Sequence, residues 1–161
     1  MLKALQEWIC DTCGDLIKQP EHGYVEWLCS TRPKYEVYGF RIGHHAPRSP
    51  RHPHGDCYKC TDNDGRLDAS LSEFVGRDGL ILLLLKVDPG PYHMPDYKSP
   101  PVRDLREWAE LVRRLQFPHY EEARRYWKAA KDDGFFDGAN EMLVYSAGML
   151  KAIIKQYGGR T

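Results

Sequence analysis

Four of the five cysteines in this chain form two pairs with the same spacing. Cys10 and Cys13 are separated by two residues and followed by Gly14, and Cys57 and Cys60 repeat the spacing after 43 intervening residues. A Cys-x-x-Cys turn presents two thiolates to one metal ion, and a glycine after the second cysteine permits the tight turn. The pairs therefore predict a structural zinc site with four ligands: Cys10, Cys13, Cys57 and Cys60.

The ligand set has an alternative, because other cysteine and histidine side chains lie between the two pairs. These side chains are Cys29, His44, His45, His52 and His54. The alternative site has three cysteines and one histidine, and Cys60 is not a ligand in it. Its ligands are Cys10, Cys13, Cys57 and either His44 or His45. Four protein ligands leave no open coordination position, so the predicted zinc ion is structural.

Two other uses of these cysteines remain open. A thioredoxin-like redox pair follows a buried strand and begins a helix, whereas only nine residues precede Cys10 and the following GDLIKQPEHG is a poor helix. The other alternative is that each cysteine is a small buried hydrophobic residue.

The segment between the cysteine pairs is rich in arginine, histidine and proline. Arg41, Arg48 and Arg51 lie within GFRIGHHAPRSPRHPHGDC, residues 39–57. Arginines bind phosphates, and nearby aromatic rings can stack on bases, so the segment predicts a local nucleic-acid contact. The whole chain has 23 basic and 23 acidic residues, which excludes a protein that coats a polyanion through its net charge.

Paired cysteines with strand-like sequence between them resemble zinc ribbons over residues 8–61. The resemblance is one of architecture and identifies no particular family. It implies a small antiparallel sheet around one structural zinc ion. The segment HHAPRSPRHPH would then be an insertion before the second cysteine pair.

The His44–His45 pair between two cysteine turns is also similar to HNH endonucleases over residues 8–64. This resemblance implies that His44 or His45 activates water and that Asn63 stands for the asparagine of the family. The chain departs from the family after Cys60, because TDNDGRLDAS replaces a helix that carries a further histidine. A metal-dependent nuclease of this type is therefore an alternative function.

The elements that position these residues are predicted as strands before residue 66 and helices after about residue 70. GYVEWL (23–28) and YEVYGFRI (35–42) are rich in aromatic and β-branched residues, as strands are. Ser70 and Glu73 have the spacing of a capping box, and a final helix is predicted from near Ser146. Within residues 102–117, five apolar residues share one helical face: Leu105, Trp108, Leu111, Val112 and Leu115.

Charged residues on the helices are predicted to face solvent. Glu110 is spaced to pair with Arg113 or Arg114 on the polar side of its helix. A further helix is predicted from Pro118 to Gly134, in PHYEEARRYWKAAKDDG. Its neighbouring acidic and basic residues predict a solvated face.

The predicted fold class is α+β, a zinc-ribbon-like antiparallel β module followed by an α-helical module. The predicted boundaries are residues 1–66 for the zinc module and 67–161 for the helical module, with a proline-rich connector at 88–101. The start MLKALQEWIC lacks the long apolar core of a secretory signal, and the apolar run Leu80–Leu85 is too short for a bilayer. We expect an intracellular, cytoplasmic protein without membrane contact.

The predicted function is a non-enzymatic structural-zinc protein that binds nucleic acid or a protein partner within a nucleic-acid-handling assembly. In this prediction the basic segment supplies nucleic-acid contacts through Arg41, Arg48 and Arg51. The helices supply a docking surface. The alternatives are the HNH-like nuclease, with His44 or His45 as catalytic residue, and a pure protein–protein interaction module.

Overall fold

The computed structural model describes residues 1–46, 48–52, 54, 57–91 and 100–159. Its larger sheet has three antiparallel strands in the order β4-β3-β5, and two short strands form a separate hairpin. The strands are β1 (Trp8–Ile9), β2 (Leu16–Ile17), β3 (Gly23–Ser30), β4 (Glu36–His44) and β5 (Asp64–Ser70). The strands predicted at 23–28 and 35–42 are thereby confirmed.

Strand β3 is the centre of the sheet and is buried along most of its length. Alternate side chains of a strand point to opposite faces. The inner face carries Val25 and Trp27, which pack into the core with Ile42 of β4. The outer face carries Tyr24 and Glu26, both also buried. Both faces of the sheet are therefore covered, although the sheet has only three strands.

The helical elements follow the sheet in the chain. They are α1 (Gly79–Val87), α2 (Leu105–Gln116), α3 (Tyr120–Ala123), α4 (Trp127–Asp132) and α5 (Ala147–Tyr157). Ser70 and Glu73 form the predicted capping box, which here begins a short 3-10 turn at Leu71–Glu73. Ser146 caps α5 by accepting a hydrogen bond from the Met149 amide, which confirms the predicted start of that helix.

The helix predicted from Pro118 to Gly134 is interrupted in the structure. It begins only after His119, which has a positive φ of 72°, and a 3-10 turn at Arg124–Tyr126 separates α3 from α4. Glu122 accepts hydrogen bonds from the Tyr126 hydroxyl and the Leu2 amide. A buried carboxylate thus faces this interruption, where the sequence pattern predicts only a solvated face.

The mixed α+β class is confirmed, and the apolar residues form two clusters. The first cluster combines the hairpin, the sheet, α1 and α2, and the second combines α3, α4 and α5. The boundary predicted after residue 66 falls within β5, and residues 92–99 of the predicted connector lie outside the described residues. In the part of the chain that is described, every helix is too short or too polar to traverse a bilayer.

Candidate metal centre

The β1–β2 hairpin presents Cys10 and Cys13 in its connecting turn. The Cys10 amide donates to the Asp15 carbonyl at 2.9 Å, and the Gly14 amide donates to the Cys10 carbonyl at 2.9 Å. Gly14 has a φ of 76°, a conformation that glycine adopts without strain. The turn places both sulfurs on the same side of the hairpin, facing the end of β4.

Strand β4 brings His44 to the two cysteines. The Asp11 amide donates to the Ile42 carbonyl at 2.8 Å, and the Ile42 amide donates to the Asp11 carboxylate at 2.7 Å. These two hydrogen bonds therefore hold the cysteine turn against β4 at a position two residues before His44. Residues two apart on a strand share a face, so His44 lies on the inner face with Ile42.

Cys10, Cys13 and His44 each offer one ligand atom, and these atoms lie within 4.8 Å of one another. The Cys13 Sγ is 3.4 Å from the His44 Nδ1. Zinc bonds of about 2.3 Å to sulfur and about 2.0 Å to nitrogen, at a tetrahedral angle, separate those two ligand atoms by about 3.5 Å. The spacing and chemistry of these donors fit one zinc ion.

A second hydrogen bond orients the imidazole of His44. Its Nε2 lies 3.2 Å from the Leu16 carbonyl oxygen, which can only accept, so Nε2 carries the proton. The Nδ1 atom then keeps its lone pair and points it toward Cys13. Metal-binding histidines are commonly oriented in this way by a carbonyl or a carboxylate.

The two thiols differ in how readily they ionise. Burial raises the pKa of the Cys10 thiol, but hydrogen bonds from the Thr12 hydroxyl and from the amides of Cys13 and Thr12 outweigh it and lower the pKa to about 7. Burial and the neighbouring Cys10 raise the pKa of the Cys13 thiol. A cation between the sulfurs would favour both thiolates, because opposite charge stabilises the ionised form.

The second cysteine pair does not join this group. The Cys57 Sγ is 3.4 Å from the Tyr24 hydroxyl, and the Cys60 Sγ accepts a hydrogen bond from the Arg66 amide at 3.4 Å. Both cysteines are exposed, whereas Cys10 and Cys13 are buried. The four-cysteine site therefore stays a prediction, because the structure brings together only Cys10 and Cys13 of its four ligands.

The other candidate ligands lie outside this group. Cys29 is buried in the sheet core. The His45 ring lies against Tyr24, with centroids 5.4 Å apart and planes tilted by 44°, so it is His44 that reaches the sulfurs. The His52 amide donates to the Ser49 hydroxyl at 3.0 Å, and His54 is exposed.

The three arginines predicted to contact nucleic acid have different environments. Arg41 pairs with Glu26, a fully buried carboxylate, and lies over the Tyr58 ring at 3.7 Å from its centroid. Arg51 is mostly exposed and pairs with Asp15 at 2.9 Å, while Arg48 is exposed. Arg41 thus stabilises the sheet, and only the other two lie at the surface.

A buried ionic network next to the metal centre is absent from the sequence predictions. Arg114 of α2 donates from Nη1 to Asp11 at 2.6 Å, from Nε to Glu121 at 2.7 Å and from Nη2 to the Ile9 carbonyl at 3.0 Å. The predicted solvent-side partner of Glu110 is Arg113, at 3.6 Å, whereas Arg114 is buried. Arg114 lies between Leu111 and Leu115 on the apolar side of α2. This position in the sequence could have predicted that Arg114 is buried.

His44 does not meet the requirements for the base in the HNH alternative. It is 5% exposed, and its two ring nitrogens face Leu16 and Cys13. A general base must reach the proton of a substrate water. The nuclease alternative therefore depends on His45 alone.

Comparisons of this chain with family models, with curated proteins and with solved structures find no match.

Proposed function

We propose that this chain is a non-enzymatic zinc protein in which the ion is structural and the surface binds a partner. The observation that carries the proposal is the convergence of Cys10, Cys13 and His44 on one point. All three are buried, at 1%, 7% and 5% exposure, which favours a structural ion over one that must admit a substrate. A buried cysteine–histidine site is typical of structural zinc.

The proposed ion would join two pieces of structure that have little regular pairing between them. Two ligands come from the β1–β2 hairpin, whose strands have only two residues each, and the third comes from the end of β4. A two-stranded hairpin of this size is not stable alone in water. Zinc would supply the missing stability, since metal binding adds its free energy to folding.

The exposed surface favours a protein as the partner. Helix α1 exposes four apolar side chains along one side, between 44% and 62% of each: Leu80, Ile81, Leu84 and Val87. Contiguous exposed apolar surface is typical of protein interaction sites. Of the arginines predicted to contact nucleic acid, Arg41 is committed to Glu26, so Arg48 and Arg51 alone of the three remain for contact with a polyanion.

Metal analysis of two single variants tests the zinc proposal. We expect about one zinc per chain in the wild type and in His45→Ala, and none in His44→Ala, because His44, and not His45, directs a nitrogen at the sulfurs. The two variants remove adjacent side chains of the same type, so each controls for the other. Zinc retained in His44→Ala, or absent from the wild type, would contradict the proposed site.

Titration with short DNA and RNA separates a protein partner from a nucleic acid. We expect weak binding whose affinity does not change when Arg48 and Arg51 both become alanine, since Arg51 already pairs with Asp15. Contacts to phosphates make the affinity fall steeply with salt. Tight, salt-dependent binding that the double variant loses would replace the protein partner with a nucleic acid.

A further inference from the structure

The group of Cys10, Cys13 and His44 supplies three ligands, whereas structural zinc takes four. We infer that Cys57 is the fourth ligand and that Cys60 is not a ligand, so that the centre has three cysteines and one histidine. This inference rests on the proposed zinc site. It follows from where the two exposed cysteines lie with respect to the strands of the larger sheet.

The metal centre lies at the free edge of β4. In the order β4-β3-β5, β4 is an outer strand, and both backbone groups of Ile42 bond to Asp11 rather than to β3. The cysteine turn therefore occupies the side of β4 that faces away from the rest of the sheet. His44 extends from the same strand end.

Cys57 lies at this same end of β4. Tyr24 of β3 pairs with Gly43 of β4, and the Tyr24 ring lies directly over that glycine: a Cβ on Gly43 would be 2.9 Å from the Tyr24 hydroxyl. The Cys57 Sγ is 3.4 Å from that hydroxyl. Cys57 thus lies on the outer face of the sheet, above the residue that immediately precedes His44, whose side chain lies on the inner face at the same strand end.

The segment from Cys57 to Cys60 then crosses the outer face of the sheet. The Tyr58 amide donates to Glu26 of β3 at 3.2 Å, and its ring lies against Arg41 of β4. The segment ends with Cys60, whose Sγ accepts a hydrogen bond from the Arg66 amide of β5. Because β5 is two strands from β4, at about 4.8 Å per strand, Cys60 lies on the far side of the sheet from the metal centre.

Completion of the site requires Cys57 to move around the end of β4 toward the converged ligand atoms. Its Sγ lies more than 4.8 Å from at least one of the three converged ligand atoms, since it is not in their group. The thiol is exposed, and residues 57–60 belong to no helix or strand, so nothing regular has to break. Tyr24 can then donate its hydroxyl proton to the bound thiolate, the type of outer contact that supports metal ligands.

His52 is the competing ligand. The Ser49 hydroxyl bonds to Cys13 and accepts a hydrogen bond from the His52 amide, so this histidine also lies close to the centre. It would give two cysteines and two histidines. The number of thiolates on the metal therefore decides between Cys57 and His52.

Differential alkylation of the wild-type chain tests the inference without a variant. The folded protein is treated with iodoacetamide with and without one equivalent of zinc, and each cysteine is quantified by peptide mass spectrometry. We expect zinc to protect Cys57 at least 10-fold while Cys60, equally exposed in the structure, is alkylated in both samples. Equal alkylation of Cys57 in both samples, with zinc bound, would overturn the inference.

Cobalt(II) in place of zinc counts the thiolates. We expect Cys57→Ser to lower the thiolate-to-cobalt absorption by about one third and the zinc affinity about 10-fold or more, while Cys60→Ser changes neither. Unchanged absorption in Cys57→Ser overturns the inference. A loss of zinc affinity in His52→Ala would then identify His52 as the fourth ligand. If the wild type binds neither metal, the proposed function itself fails. If the wild type and Cys57→Ser bind metal equally well, only the inference about Cys57 fails.

Discussion

Replacing Cys13 by serine should abolish stoichiometric zinc binding and lower the free energy of unfolding of the zinc-loaded protein by about 3–5 kcal/mol. The Cys13 sulfur lies 3.4 Å from His44, and only Cys10 and His44 of the converged group remain without it. The ion binds the folded chain and stabilises it by mass action. Urea unfolding followed by tryptophan fluorescence, with metal analysis of the same samples, measures both effects.

Two controls separate the metal from the loss of a buried thiol. Cys29→Ser also places a hydroxyl in the core, yet it should keep zinc, because Cys29 belongs to the sheet core and not to the metal group. A strong chelator should bring the wild type down to the stability of Cys13→Ser and leave that variant unchanged. If the chelator leaves the free energy of unfolding of the wild type unchanged, no structural ion is present.

Arg114→Met should lower the free energy of unfolding by about 3–5 kcal/mol, the usual cost of removing one partner from a buried ion pair. Arg114 is 4% exposed and is the shared partner of Asp11 and Glu121. Although burial alone would lower the pKa of Arg114, the two carboxylates raise it, and the guanidinium stays charged. Without it, the buried Glu121 retains a hydrogen bond from the Ile9 amide at 3.1 Å and a weaker ion pair with Arg124 at 3.6 Å.

Arg106→Met on the same helix is the matched control for this variant. Arg106 is exposed, so its replacement should change the free energy of unfolding by less than about 0.5 kcal/mol. Arg114→Lys should fall between the two, because lysine keeps the charge but lacks the planar fork that bonds two carboxylates at once. Equal effects of Arg114→Met and Arg106→Met in urea unfolding would show that the network contributes nothing.

Much of the fold was predictable because local signals and packing agree. The aromatic and β-branched runs of β3 and β4 form strands, and the cap at Ser146 begins α5 as its spacing predicts. The metal turn at Cys10 and Cys13 was predictable for the same reason, since its spacing and its glycine are both local. Such features depend on a few neighbouring residues and not on the distant parts of the chain.

The completion of the site depends on contacts that no local pattern contains. His44 and His45 are adjacent, and only the register of β4 decides that His44 faces the cysteines. Likewise, Cys57 and Cys60 have the spacing of a ligand pair, but a segment crossing three strands separates them. The sequence pattern also predicts that Arg114 and Glu121 face solvent, whereas the hairpin covers both in the structure.

Asp11 lies between the two cysteines of the turn and touches both β4 and Arg114 of α2. In the zinc-bound form that we propose, a change in how tightly the ion is held would therefore also change how tightly α2 is held against the hairpin. Such thermodynamic linkage is reciprocal, so the factor by which zinc tightens the helix equals the factor by which the helix tightens zinc. A substitution of Arg114, which is 103 positions from Asp11 along the chain, would consequently change the zinc affinity.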